Sequence, residues 1–144
     1  MVLLETDVLV KFLRDDPDIA PQIEELLSCK AGIITPVQAT ELVSYTAPDE
    51  VAILWQFLSQ IQMTDITSED SFQAGKYLNQ YGPHYSELTV IDCLVAAVAV
   101  TKDAEIFTLN PAHFPMTEVK LFNSGLSALK AKTKERLQNF DLEE

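Results

Sequence analysis

Apolar positions along the chain fall into short runs that alternate with stretches of helical spacing. Val2-Leu3-Leu4 is a continuous apolar run that stops at Glu5-Thr6-Asp7. From there Val8, Leu9, Phe12 and Leu13 recur at the three- and four-residue spacing of a helix face. The pattern predicts a buried strand followed at once by a helix ending near Asp15-Asp16-Pro17. Asp18 is placed to cap a second helix with Ile19, Ile23, Leu26 and Leu27 on its apolar stripe, and Gly32 breaks it. Ile33-Ile34 reads as a second strand. Thr35-Pro36 opens a third helix that carries Val37, Glu41, Leu42 and Tyr45 and stops around Pro48.

A fourth helix is expected over residues 49–60 with Val51, Leu54, Trp55 and Leu58 inward, and a third strand over 63–66. Ser68-Glu69-Asp70 starts a helix through Phe72, Ala74, Tyr77 and Leu78, with Trp55 and the helically spaced Phe residues expected in the core. Tyr81-Gly82-Pro83 is a loop. The most apolar helix is predicted over 86–102, then a strand over 105–108, an Asn110-Pro111 turn and a last strand over 119–122. Short apolar strands alternating with helices indicate a parallel sheet covered on both faces. No repeat or linker interrupts the pattern, so residues 1–123 read as one α/β domain. Beyond it, residues 124–144 place Leu126, Leu129, Leu137 and Phe140 near one helical face and Lys130, Lys132, Lys134 and Arg136 on another. This tail predicts an appended amphipathic helix, packed on its own domain or on a second subunit, whose basic group reads as a solvated face.

Composition narrows the picture. The 144 residues are 47% hydrophobic and 22% charged, enough for one core and unlike a disordered chain. Acids outnumber bases 22 to 10, a formal charge of −12, which repels a phosphate backbone unless a metal or a local basic patch offsets it. Cys29 and Cys93 form no CxxC pair and suit buried free thiols in a reducing cytoplasm. No basic, secretory-type leader and no membrane-length apolar run is present, so a cytoplasmic protein is expected, with no membrane partner.

Against this background three acids stand out. Glu5 follows a strand, at the carboxyl end where parallel sheets place their sites. Glu41 lies in the first half of the helix after the second strand, at the same edge. Asp92 sits within V-I-D-C-L-V-A-A-V-A-V, where an unpaired carboxylate would cost several kcal/mol. Carboxylates gathered around a divalent cation would compensate it. Asn110, just past the strand ending at Thr108, is a fourth member of the expected pocket or else a turn residue. Oxygen-only donors suit Mg²⁺ or Mn²⁺ rather than zinc or copper. Such an ion can bind a phosphate oxygen, activate water and steady a leaving oxygen. No Ser-His-Asp, Cys-His or glycine-rich phosphate loop competes. His113 reads as structural or as a substrate-side contact.

Four segments, V-L-L-E-T-D-V-L-V, I-I-T-P-V-Q-A-T-E-L-V, L-T-V-I-D-C-L-V-A-A and I-F-T-L-N-P-A-H-F, resemble in order and spacing the four motifs of the PIN family. They are most similar to the VapC-type toxins of bacterial toxin–antitoxin pairs, over about Val2 to Phe122. The resemblance implies a three-layer α/β/α sandwich with a central parallel sheet of four to five strands. It further implies a metal-dependent ribonuclease acting on RNA, often a homodimer, with a VapB-type antitoxin as partner. By position Glu5, Glu41 and Asp92 take the family's metal-holding acids, with Asn110 as the fourth site residue. Thr6 and Thr108 match hydroxyls that arrange the pocket. The chain departs from the pattern at Glu5, where the family has Asp, and at Leu109, where many members carry a base. Asp7 stands where Asn is common, and either supplements Glu5 or caps the first helix. The other reading is a PIN-like protein without catalysis, a protein-binding or scaffolding module.

Overall fold

The computed structural model describes residues 1–123. Strands β1 (Val2–Leu4), β2 (Gly32–Ile34), β3 (Gln62–Met63), β4 (Glu105–Phe107) and β5 (Lys120–Leu121) pair in parallel in the order β3-β2-β1-β4-β5. Between them run α1 (Thr6–Leu13), α2 (Ala20–Ser28), α3 (Pro36–Ser44), α4 (Val51–Leu58), α5 (Ser68–Tyr81) and α6 (Val90–Thr101). No helix among the described residues is long and apolar enough to cross a membrane.

Side chains alternate across a strand, so each short strand feeds two cores. Leu4, Ile34 and Phe107 face one way and join residues of α1, α2, α3 and α4. Leu3, Ile33 and Ile106 face the other and pack with Ala74 and Tyr77 of α5 and the Val95–Ala99 stretch of α6. This is the expected α/β/α sandwich, and it explains why the strands read as unbroken apolar runs: both faces are covered. The chain lays down β1, β2 and β3 toward one edge, then crosses back to place β4 and β5 on the other side of β1. The carboxyl ends of β1 and β4 therefore flank the point where strand order reverses, the usual crevice of an open parallel sheet.

Several local expectations are corrected. Trp55 is 55% exposed, and Tyr45 and Phe72 also face solvent. In α4 the inward pair is Leu54 and Leu58, four residues apart, and Trp55 is rotated about 100° off that stripe. Phe72 lies off the Ala74–Tyr77 line of α5 in the same way. The third strand is shorter and starts earlier than read, at Gln62–Met63, although the Thr64 amide extends the ladder by donating to the Ile34 carbonyl at 2.8 Å. The last helix begins at Val90, not 86, because Thr89 caps it. Cys93 is buried as expected, but Cys29 is exposed just beyond the end of α2; both are free thiols. The tail over 124–144, and the helix expected there, lies outside the described residues.

Candidate active site

The site is built at the carboxyl ends of β1 and β4 with side chains from α3 and from the start of α6. Where β1 ends, Glu5 takes extended backbone (φ −72°, ψ 159°) as the residue that opens α1. Its amide donates to the Phe107 carbonyl at 3.1 Å, which fixes the end of β1 against the end of β4. Glu5 caps α1 by position only; its carboxylate turns instead to α3, where Gln38 Nε2 donates to Oε1 at 2.7 Å. The next residue ties the same two helices again, with Thr6 Oγ1 donating to Glu41 Oε1 at 3.0 Å.

Gln38 was not singled out from sequence, and it is fully buried. Its Oε1 accepts from the Thr35 amide (2.8 Å) and the Thr35 hydroxyl (2.7 Å), which leaves its Nε2 as the donor for Glu5. The signal was present as T-P-V-Q, a threonine followed three residues on by glutamine, the pattern of a helix capping box. Two more boxes share that form, Thr67 with Asp70 and Thr89 with Asp92.

The Thr89 box changes the reading of Asp92. Asp92 is buried, yet not uncompensated: its Oδ2 accepts from the Thr89 amide at 3.1 Å, and its own amide donates to Thr89 Oγ1 at 3.1 Å. A carboxylate in the first turn of a helix also sits favourably in the helix dipole. The apolar surroundings expected on every side are not complete, since Val90 and Ile91 are exposed. Among the described residues Oδ1 has no hydrogen bond; it lies 3.7 Å from His113 Nδ1, beyond hydrogen-bond range. His113 thus borders the acidic edge from the short helical turn Pro111–His113 after β4.

Asp7 stands in the first turn of α1 rather than at its N-cap, and its Oδ1 accepts from the Val8 amide at 2.7 Å. It is the tether of the β4 end: its Oδ2 accepts from the Leu109 amide (2.9 Å), Thr108 Oγ1 (3.1 Å) and Asn110 Nδ2 (3.2 Å). Thr108 Oγ1 in turn accepts from the Asn110 amide at 3.0 Å. Asn110 and Thr108 therefore join the site through Asp7 rather than through the other acids.

These anchors leave four carboxylates on one sheet edge. Glu5 is pushed up from 4.5 to about 8, first by burial and then by the charges of Asp7, Glu41 and Asp92, against the opposing hydrogen bond from Gln38. Mutual repulsion of that kind is what a bound cation relieves, and the donors are all hard oxygens. The donor chemistry and the electrostatics fit a divalent ion. As they stand, no three His, Cys, Asp or Glu side chains among the described residues gather tightly enough to ligate one. Occupancy would exchange present hydrogen bonds, such as Gln38–Glu5 and Thr6–Glu41, for bonds to the ion.

Residues 2–117 match the family described as PIN domain. Ribonuclease VapC19 of Mycobacterium tuberculosis is 30% identical over 117 residues, covering 81% of this chain and 94% of that protein. Ribonuclease VapC10 of the same organism is 28% identical over 121 residues, covering 82% and 89%. Among solved structures, DNA-bound VapBC from Salmonella typhimurium superposes with a TM-score of 0.71 at 16% identity, covering 84% of this chain and 96% of that one, which speaks to the fold. A family match across most of the length, a relative at 30% identity and a shared fold lead to one conclusion: the chain belongs to the PIN-domain family, among its VapC-type members.

Proposed function

We propose that the protein is a divalent-metal-dependent endoribonuclease and the toxin of a VapBC-type pair. The observation that carries this is the gathering of Glu5, Asp7, Glu41 and Asp92 at the carboxyl edge of the sheet, where burial first and then the neighbouring charges push Glu5 up to about 8. The ribonuclease names of its relatives VapC19 and VapC10 support the same chemistry. Glu5, Glu41 and Asp92 would hold the ion, Mg²⁺ or Mn²⁺, which when bound supplies a Lewis acid for the phosphodiester and a means of activating water. The chain's own residues do the positioning. Gln38 aims Glu5, Thr6 aims Glu41, and the Thr89 box fixes Asp92 at the start of α6. Asp7 fastens Thr108 and Asn110 at the rim, where the Asn110 amide is offered beside the pocket.

A basic antitoxin segment of VapB type suits a chain of charge −12, and the Salmonella neighbour is itself a VapBC assembly. A cytoplasmic homodimer completes the proposal. The test is Mn²⁺-dependent cleavage of a panel of RNAs by the wild type and Asp92→Asn. Asn keeps an acceptor for the Thr89 amide, so the helix start survives while the charge is lost. Loss of cleavage is expected; equal cleavage by both proteins would point to a contaminating nuclease and end the assignment.

The second reading, a protein-binding module without turnover, is favoured by one observation. The acids already have protein partners, and no three are drawn together as ligands. Calorimetric titration with Mn²⁺ separates the two: saturable binding lost in Asp92→Asn supports the nuclease, and no binding up to millimolar metal supports the module.

A further inference from the structure

Beside the acidic edge lies a cleft of about 260 Å³ that the catalytic proposal does not use. One wall is the segment leading into α6, with His84, Tyr85, Ser86, Glu87 and Leu88; the other is the turn after β4, with His113. Both walls run directly into the site. The first leads to Thr89 and Asp92, and the second places His113 Nδ1 3.7 Å from Asp92 Oδ1.

Tyr85 is the best-supported side chain in this cleft. Tyr85 is 45% exposed, and its ring meets that of Tyr81 at a tilt of 55° with centroids 6.3 Å apart. Tyr81 leans in turn on Tyr77, again at 6.3 Å, and Tyr77 is rooted in the core. Backbone bonds hold the segment: the Tyr85 amide donates to the Tyr81 carbonyl at 3.1 Å, and the Leu88 amide to the Tyr85 carbonyl at 3.0 Å. An aromatic ring presented to solvent and braced by its neighbour is a ready stacking platform, since little motion need be frozen when a flat ligand arrives.

Among the described residues the lining carries no Lys or Arg, and the chain as a whole carries −12, so what these walls offer is not a grip on phosphates. It offers a ring face and, in Ser86, Glu87 and the two histidines, hydrogen-bonding groups for a base edge. Its volume is just below the usual range of small-molecule pockets, roughly 300–1,000 Å³, which suits one base rather than a stacked run. We propose that this cleft is a nucleobase subsite, in which a base of single-stranded RNA next to the phosphate at the acidic edge stacks on Tyr85.

The inference rests on the nuclease reading for its choice of RNA, and the experiment keeps the two apart. Anisotropy of a fluorescein-labelled, mixed-sequence single-stranded RNA dodecamer is measured in EDTA, where no cleavage intervenes. Wild-type protein binds saturably. Tyr85→Ala raises Kd by about five-fold or more, the loss of one base–aromatic stack, while Tyr85→Phe and Tyr85→Trp stay close to wild type. A dodecamer of the same length with abasic sugars binds no better than Tyr85→Ala binds RNA. No saturable binding by the wild type, unchanged Kd in Tyr85→Ala, or equal affinity for the abasic chain would each overturn the subsite. In cleavage with Mn²⁺, Tyr85→Ala raises KM and spares kcat. Cleavage lost in Asp92→Asn but with KM and Kd untouched by Tyr85→Ala leaves the nuclease and removes the subsite. Binding through Tyr85 without any cleavage does the reverse.

Discussion

At the scale of single residues, Glu5 carries the most unusual chemistry in the chain. In the unfolded chain its carboxyl loses a proton near pH 4.5; in the fold it keeps it to about 8. Between those values the folded protein binds one proton more than the unfolded one, so raising the pH favours unfolding. Metal-free wild type should therefore lose stability from about pH 5 to about pH 8, by a few kcal/mol at most, and then level off. Glu5→Gln keeps an acceptor for Gln38 and has no proton to lose. Its urea-unfolding free energy, compared with wild type at pH 5, 7 and 9, should lack that decline; parallel curves would refute the crowded-acid picture. Glu5 and Asp92 were legible in sequence because each sits where a strand ends or a helix starts beside apolar residues; Glu41 was found too, but it lies past the middle of α3 (Pro36–Ser44) rather than in the first half of its helix. Their partners were less so. Thr89 acts within a single helical turn and Gln38 joins its own helix start to Glu5 on another element, and only the capping-box spacing hinted at either. The three bonds to Asp7 were hidden altogether, since they join residues about a hundred positions apart.

At the scale of elements, the same capping pattern does structural work away from the site. Asp70, 2% exposed, accepts from the Thr67 amide at 2.9 Å and from Thr101 Oγ1 at 2.8 Å, so it both starts α5 and clamps it to the end of α6. Burial alone would raise its pKa, but the bonds from Thr67 and Thr101 win and hold it below 3.8. Asp70→Ala should cost about 2–3 kcal/mol in chemical denaturation at neutral pH. Because the folded carboxyl is the stronger acid, that contribution is complete above the unfolded value and fades as the pH falls through the folded one, so the gap between variant and wild type should narrow in acid. Helix ends show a different economy. α1, α2 and α6 are each followed by a residue with positive φ, Asp15 (56°), Lys30 (57°) and Asp103 (50°), where glycine is the usual choice. Lys30 is exposed, and its long side chain lacks the short oxygen by which Asp or Asn can settle that backbone. Lys30→Gly is expected to stabilise by about 0.5–1 kcal/mol, read from the midpoint of thermal or urea unfolding. Helix and strand order could be read from hydrophobic period, but the end of each element could not, because ends are set by caps and by neighbours in the sheet. The predicted start of the last helix at 86 failed for that reason: Thr89 owns the cap.

For the whole molecule, charge sets the behaviour. With 22 acids against 10 bases the folded chain repels itself, and four of the acids share one edge. Raising NaCl from low concentration to roughly 0.5 M should raise Tm by about 2–5 °C through screening alone. At matched ionic strength, Mn²⁺ should add a further rise in wild type that Asp92→Asn lacks. An equal response in both proteins would mean the ion acts only as salt. A parallel sheet covered on both faces followed from the alternation of short apolar runs with helices; the central place of β1 and the crossing back to β4 did not. Which strand neighbours which is set by long-range packing, and no local pattern encodes it.

The outward position of Trp55 has an optical consequence. It is the sole tryptophan of the chain, and on the solvent side of α4 its indole is already largely hydrated in the native state. Its emission should be red-shifted before any denaturant is added and change little when the core melts. The same lamp would turn blue when another surface covers α4, so intrinsic fluorescence in this protein is a poor thermometer of folding and a built-in reporter of that face being occupied.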